Sequence, residues 1–170
     1  PAQLVEGAPI RGGMPVCVPQ FAGRGPLPQH GIVRTRPWQI DLAAMDKGRL
    51  SLRITEDAQT LQLWPHAFAL QIEVTASAGG LRIAFTAHNP GSASFSFMAA
   101  LHTYLQVEAL PACKLEGLPA GPLFDNSEKA WRNFAGGVLD LSRPLDQVHT
   151  GVQGPLSLVE GKQGLSIVHS

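Results

Sequence analysis

The chain has 170 residues, of which 44% are hydrophobic and 15% are charged, so it is expected to fold around a packed core and not to be disordered. Its 13 Lys and Arg residues balance 13 Asp and Glu residues, and this zero formal charge excludes long-range attraction to nucleic acid or anionic lipid as the main function. With 18 Gly and 14 Pro residues the chain is rich in turns, which argues against a helical bundle.

The first third of the chain is predicted to form Gly- and Pro-rich loops that carry cationic and polar side chains. These are Arg11, Arg24, Gln29, His30, Arg34 and Arg36. Because guanidinium groups match phosphate oxygens, the arginines and Gln29 would suit a concave anion site. The alternative is that they are ordinary solvated loop charges, and composition alone favours that alternative.

Alternating apolar and polar residues predict three strands in the next part of the chain. The alternation covers Leu50–Thr55, then Phe68–Thr75, and then Leu81–Thr86. The last two runs are joined by Ser77–Gly80, whose two glycines predict a hairpin turn.

A second hairpin is predicted near the C-terminal end, where Leu156–Leu158 and Leu165–Ile167 flank a turn at Glu160–Gly164. No segment combines caps with an apolar stripe as a helix would, and Glu128–Arg132 is expected to form at most one short turn. Short strands joined by turns predict an all-β fold, an antiparallel β-sandwich, formed as a single domain over residues 1–170.

A longer strand is predicted over Ser94–Glu108. Its odd positions are almost wholly apolar and are expected to face the core. Its even positions begin with small residues and continue to His102 and Tyr104, so these two side chains are expected to share the opposite face. A His beside a Tyr above small residues suits a cleft, whereas an ordinary solvated sheet face is the alternative.

The other histidines and the two cysteines give no metal-site spacing, so no metal is expected. Cys17 and Cys113 are too few for a disulfide framework and are interpreted as buried, reduced thiols in a cytoplasmic protein. No apolar run approaches the ~20 residues that a membrane helix needs, and no membrane partner is expected.

Five segments together resemble the glucose-6-phosphate 1-epimerases, or hexose-6-phosphate mutarotases. They are Ile10–Cys17, Pro28–Arg34, Leu63–Phe68, Ala100–Leu105 and Pro144–Val148, which resemble that family's RGGIPICFP, PQHGFAR, WPHDF, ALHTYF and VDRVY motifs in the same order. The resemblance implies the galactose-mutarotase-like fold, a large antiparallel β-sandwich.

The resemblance also implies roles for particular residues. His102 matches the family's catalytic histidine, and Asp146 matches the aspartate that holds the sugar. His30 matches a cleft histidine of the wider mutarotase group. The residues that match the family's sugar-phosphate contacts are Arg11, Gln29 and Arg34.

The chain also departs from the family pattern. Leu105, His149 and Val33 replace a Phe, a Tyr and a small residue, which leaves the preferred hexose open. The family's catalytic glutamate lies beyond the point that corresponds to Ser170, and its opening strands precede Arg11. The chain is therefore expected to be the central part of a mutarotase domain and to have little or no catalytic activity by itself.

The activity that the resemblance implies is interconversion of the α and β anomers of a sugar phosphate, by acid–base opening and closure of the ring. It needs no cofactor, and a His suits the acid role because its unperturbed pKa is ~6.5. The expected partner is a small-molecule sugar phosphate, with no nucleic acid, and the protein is expected to be a monomer. The alternative is a non-catalytic carbohydrate-binding or interaction module on the same fold.

Overall fold

The computed structural model describes residue 6 and residues 10–169. The chain divides into two compact units, Pro1–Tyr104 and Leu105–Ser170. Over the described residues the strands of both units pair antiparallel and helix is confined to short segments, so the prediction of an all-β antiparallel fold class is confirmed. The single-domain organisation stays a prediction. Among the described residues, no helix has the length and apolar character needed to cross a membrane.

Where the structure describes it, the first unit contains a four-stranded sheet, a two-stranded sheet and one α-helix. Its elements are β1 (Val16–Cys17), β2 (Gln39–Ile40), β3 (Arg49–Thr55), α1 (Ala58–Leu63), β4 (Ala69–Ser77), β5 (Gly80–His88) and β6 (Ala100–Leu101), with a 3₁₀ turn at Leu42–Ala44. The order of the larger sheet is β2-β3-β4-β5, and β1 pairs with β6. The three predicted strands and the hairpin that pairs Ser77 with Gly80 are confirmed.

The described part of the second unit contains a four-stranded and a three-stranded sheet. The strands are β7 (Cys113–Leu118), β8 (Gly121–Asp125), β9 (Ala130–Phe134), β10 (Gly137–Asp140), β11 (Gln147–His149), β12 (Leu156–Glu160) and β13 (Gln163–Ile167), and a 3₁₀ turn spans Leu110–Ala112. The order of the larger sheet is β10-β7-β12-β13, and that of the smaller sheet is β11-β8-β9. The predicted C-terminal hairpin is confirmed, with Glu160 opposite Gln163. The short turn expected near Glu128 lies between β8 and β9.

The core of the first unit follows from the alternation in β3 and β4. The alternate residues Phe68, Leu70 and Ile72 are all buried, because every second side chain of an extended segment points to the same face. They belong to a buried cluster with residues from the loops and short strands: Val16, Val18, Ile32, Val33 and Ile54. Full burial of one such side chain contributes about 1.5–3 kcal/mol, so this cluster stabilises the loops as well as the sheet.

Helix α1 was not expected from the sequence. Its six residues carry no apolar stripe, and Thr60 is the one that is buried. The helix begins at a capping box, in which the Asp57 carboxylate accepts from the Thr60 N–H at 2.7 Å while the Thr60 hydroxyl accepts from the Asp57 N–H at 2.7 Å. These two bonds satisfy N–H groups that would otherwise lack partners at the start of the helix. The capping box therefore stabilises a helix that is too short to show an apolar periodicity in the sequence.

The strand predicted over Ser94–Glu108 differs from the structure, where only β6 is regular. The register of β6 nevertheless continues on both sides against the loop that contains β1. The backbone N–H groups of Met98, His102 and Tyr104 donate to the carbonyl oxygens of Pro19, Pro15 and Gly13, at 2.8, 2.9 and 2.9 Å respectively. Proline has no N–H, so Pro15 and Pro19 cannot return a bond and the ladder is one-sided at these two positions.

The predicted core face of that strand is also not buried. Phe97 and Leu101 remain 41% and 38% exposed, and Leu105 remains 39% exposed. Phe95 alone of the aromatic residues there packs against the buried cluster. Alternation of apolar residues therefore overestimated both the length and the burial of the segment.

Candidate active site

The loop before His30 is held by one buried amide side chain. Gln20 is 2% exposed, and its Nε2 donates to the carbonyl oxygens of Leu27 at 3.0 Å and Ala22 at 3.2 Å. Its Oε1 accepts from the Leu27 N–H at 3.0 Å. These three bonds close the loop around Gln20, so the side chains that follow are presented from a fixed backbone.

A glycine is required at position 31 because the same loop passes very close to the backbone of Val18, which directly follows β1. Gly31 has a φ of 78°, and a Cβ atom at this position would collide with the carbonyl oxygen of Val18. The Ile32 N–H donates to that oxygen at 2.9 Å. A side chain at position 31 would therefore displace the backbone that carries His30.

His30 is half-buried, and its ring has a defined donor and acceptor side. Its Nδ1 accepts from the Ala22 N–H at 3.4 Å, which places the proton of the neutral ring on Nε2. Burial lowers the pKa of His30, and the charges of Arg34 and His102 lower it further. The ring is therefore a neutral Nε2–H donor at pH 7.

His102 lies beside His30, with ring centroids 5.7 Å apart. The Tyr104 ring is 5.2 Å from the His102 ring, and Phe21 approaches both histidines at 5.4 and 6.5 Å. His102 is exposed, so its imidazole is accessible to a ligand. Among the described residues, no three His, Cys, Asp or Glu side chains are placed to hold a metal ion.

Arg34 follows the buried residue Val33 and has an exposed side chain. Its charge is close enough to lower the pKa of His30 and to oppose the rise that burial causes in the pKa of the Cys17 thiol. In the described part of the chain, Arg34 makes no ion pair and no side-chain hydrogen bond. Its guanidinium group is thus available to an anionic ligand beside the two histidines.

Arg36 has a different role from Arg34. Its Nη1 lies 2.6 Å from Asp57, at the start of α1, and its Nε donates to the Ile32 carbonyl oxygen at 3.2 Å. Trp38 donates to the next carbonyl oxygen, that of Val33, at 3.2 Å. These contacts fix the backbone that leads to Arg34, so Arg36 is structural and not part of an anion site.

The remaining sugar-phosphate candidates, Arg11 and Gln29, have exposed side chains. Over residues 10–169, neither side chain has a hydrogen-bond partner within the protein. Their convergence with Arg34 on one ligand stays a prediction.

Asp146 lies in the second unit, immediately before β11, and its side chain is exposed. Its Oδ1 accepts from the Asn126 amide Nδ2 at 2.6 Å. Its carbonyl oxygen also accepts from the Asn126 backbone N–H, at 2.8 Å. The expected neighbourhood of Asp146 and His102 stays a prediction.

Asp125, which the sequence did not single out, anchors the turn beside Asp146. It is 9% exposed and accepts from Ser127, Glu128 and Gln147. The hydrogen bond from the Ser127 hydroxyl, followed by that from Gln147, lowers the pKa of Asp125 to about 2. The Asp-Asn-Ser order is typical of a turn in which a carboxylate bonds the backbone two residues on, and this was the signal available in the sequence.

A model of the aldose 1-epimerase family matches residues 1–126 of the chain. The chain belongs to the aldose 1-epimerase family. Among the relatives of this epimerase-family chain, a Cenchrus ciliaris protein is 29% identical over 171 residues, which cover 94% of the chain and 52% of the relative. An Escherichia coli (strain K12) protein is 33% identical over 117 residues, covering 66% of the chain and 38% of the relative. Both are named "Putative glucose-6-phosphate 1-epimerase".

The chain spans about half the length of the first of these relatives, 52%, and 38% of the second. A solved structure from Salmonella typhimurium, titled as a "putative mutarotase (YeaD)", superposes with a TM-score of 0.77 at 24% identity, over 94% of the chain and 54% of the other protein. This likeness shows the fold, and it confirms the galactose-mutarotase-like β-sandwich class predicted for the epimerase-family chain.

Proposed function

We propose that this epimerase-family chain belongs to a hexose-6-phosphate 1-epimerase, in which His102 is the general acid. The observation that carries the proposal is the pairing of an accessible His102 with a neutral His30, centroids 5.7 Å apart, beside the available guanidinium group of Arg34. An accessible imidazole, a neutral donor and a cation together suit a sugar that carries a phosphate group.

In the proposed reaction, His102 protonates the ring oxygen of the sugar while a base removes the proton of the anomeric hydroxyl. The bond between C1 and the ring oxygen breaks, the C1–C2 bond rotates, and the ring closes on the other face of C1. His30 donates from Nε2 to a sugar oxygen, and Asp146 accepts from a sugar hydroxyl, as the resemblance implies. The resemblance implies that the base is a glutamate outside these 170 residues.

The decisive test is the substitution His102→Ala in the longer protein that the resemblance implies. One acid–base group is worth roughly 10²–10⁴ in rate, so anomer exchange of glucose-6-phosphate, followed by NMR, should fall by ~10²-fold or more. The melting temperature should stay nearly unchanged, because His102 is exposed. His88→Ala, at the exposed end of β5, is the matched control.

Exchange at the wild-type rate in His102→Ala would remove His102 from the mechanism. The 170-residue chain alone should show little or no exchange. If it is fully active, the base lies within these residues and not beyond them.

The phosphate assignment is tested separately with Arg34→Ala. Hydrogen bonds to charged groups contribute about 1.5–3 kcal/mol, so affinity for glucose-6-phosphate should fall roughly 10- to 100-fold while affinity for glucose changes little. Arg24→Ala is the control, since Arg24 is another exposed arginine of the same loops that matches no family contact. Calorimetric titration with both sugars measures the difference, and equal losses for the two sugars would exclude a phosphate role.

The alternative function is a non-catalytic carbohydrate-binding or interaction module on the same fold, because a fold alone does not decide between catalysis and binding. Sugar binding without anomer exchange in the longer protein would decide in its favour. We also propose a cytoplasmic location, which is supported by the buried, free thiols of Cys17 and Cys113. That the protein is a monomer stays a prediction.

A further inference from the structure

The second unit places an amide side chain directly on Asp146, the residue expected to hold the sugar. We infer that Asn126 is a positioning residue that fixes the orientation of the Asp146 carboxylate for a sugar hydroxyl. The inference rests on the proposed function, because it assigns a partner to a residue whose sugar contact is itself proposed.

The geometry leaves one carboxylate oxygen of Asp146 for a ligand. Asn126 Nδ2 donates to Oδ1 at 2.6 Å, whereas Oδ2 has no hydrogen-bond partner among the described residues. A carboxylate accepts at both oxygens, so the second one remains free to accept from a hydroxyl. With Oδ1 held, rotation of the carboxylate is restricted and the direction of Oδ2 is defined.

The backbone keeps Asn126 opposite Asp146. Asp125 pairs with Gln147 in the antiparallel register of β8 and β11, so the next opposing positions are 126 and 146. The Asn126 N–H donates to the Asp146 carbonyl oxygen at 2.8 Å. Two bonds, one from the backbone and one from the side chain, therefore join the same two residues.

The turn behind Asn126 is itself anchored. The Asp125 carboxylate accepts from the Ser127 N–H at 2.9 Å and from Gln147 Nε2 at 3.1 Å. Gln147 Oε1 lies 3.3 Å from His149 Nε2. Because the Gln147 amide donates to an ionised carboxylate, its oxygen is left to accept, and His149 must donate from Nε2. This chain of bonds holds both ends of the Asn126–Asp146 pair.

The test uses Asn126→Ala in the full-length protein, with glucose-6-phosphate as the probe. The Kd and KM for the sugar phosphate should rise roughly tenfold, because a charge-assisted bond that orients the acceptor is lost. The kcat should stay within about twofold, because Asn126 touches no reacting atom. Since the backbone bond to Asp146 remains, the protein should still fold, and its thermal unfolding provides the check.

Asn133→Ala is the matched control, because Asn133 is an exposed amide on β9 in the same unit that forms no side-chain hydrogen bond in the described structure. Asn126→Asp keeps the shape but removes the donor, so its KM should rise at least as much. A variant that lowers kcat and leaves KM unchanged would overturn the positioning role.

A double-mutant cycle separates this inference from the proposed function. If Asn126 acts through Asp146, then Asn126→Ala should have little further effect in an Asp146→Asn background. If Asp146→Asn weakens binding and Asn126→Ala does not, the inference is wrong and the sugar role of Asp146 stands. If Asp146→Asn has no effect in a protein that binds the sugar, the role of Asp146 and this inference both fall, while His102 and Arg34 are untouched.

Discussion

Two regions of the first unit hold their strands together by different means. In the β3-β4-β5 part of the sheet, pairing runs without interruption over seven residues between β3 and β4 and over nine between β4 and β5. Between β1 and β6 only two residue pairs are regular, and the flanking bonds run in one direction. The candidate site lies on this second region, whose geometry depends on single side chains such as Gln20.

Substitutions in these two regions should therefore have different consequences. In the sheet, stability comes from a continuous ladder over a buried cluster, so loss of a core side chain should affect the whole unit. In the β1–β6 region, a substitution should change the position of His30 or His102 more than it changes the stability of the whole unit. Three substitutions test this contrast.

The largest effect is expected for Phe68→Ala. Phe68 lies immediately before β4 and is 1% exposed, and a buried Phe→Ala change typically costs about 3–5 kcal/mol in the free energy of unfolding. Urea unfolding measures this cost. Leu81→Ala on β5 is the control, since Leu81 is 63% exposed and its loss should cost little. Equal costs for the two would mean that the sheet is not stabilised by its buried face.

An intermediate effect is expected for Gly31→Ala. A backbone conformation with positive φ costs an L side chain roughly 1–3 kcal/mol, and the added Cβ would also meet the Val18 carbonyl oxygen. The cost should appear as a loss of stability together with changed NMR signals of the His30 ring. Gly23→Ala in the same loop is the control, because a Cβ there meets no atom within 4 Å. An unchanged His30 signal would show that Gly31 does not position the ring.

The smallest effect is expected for Pro15→Ala. This substitution introduces a backbone N–H opposite His102, where proline has none. The new N–H should bond to the His102 carbonyl oxygen, and its amide hydrogen exchange should be slowed. The free energy of unfolding should change by less than about 1 kcal/mol, since the gained bond is offset by a more flexible unfolded chain. Rapid exchange at position 15 would show that proline is not what interrupts the ladder.

The regular strands were predictable because the residues that are apolar in the alternating sequence pattern are also the ones that the fold buries. Alternation in Leu50–Thr55 and Phe68–Thr75 coincides with β3 and β4, and the glycines at Ser77–Gly80 coincide with the turn between β4 and β5. The same alternation failed over Ser94–Glu108. Alternation shows which residues are apolar. It does not show that the opposing segment has prolines, which lack the N–H groups that a regular strand would donate.

For the candidate site, the sequence could indicate which residues take part but not how they are arranged. Family motifs drew attention to His30, Arg34 and His102, and the structure adds how the first of these is held neutral. What the sequence could not supply were pairings across long separations, such as Arg36 with Asp57 or Asn126 with Asp146. Such contacts depend on the folded path of the chain, and no local spacing encodes them.

The two cysteines give each unit its own chemical reporter. Cys17 and Cys113 are 0% and 1% exposed, one in each unit, and burial raises the pKa of both thiols. A buried, protonated thiol does not react with an alkylating reagent until its surroundings open, because the thiolate is the nucleophile. The rates at which the two thiols are alkylated therefore measure the opening of each unit separately, without any engineered label.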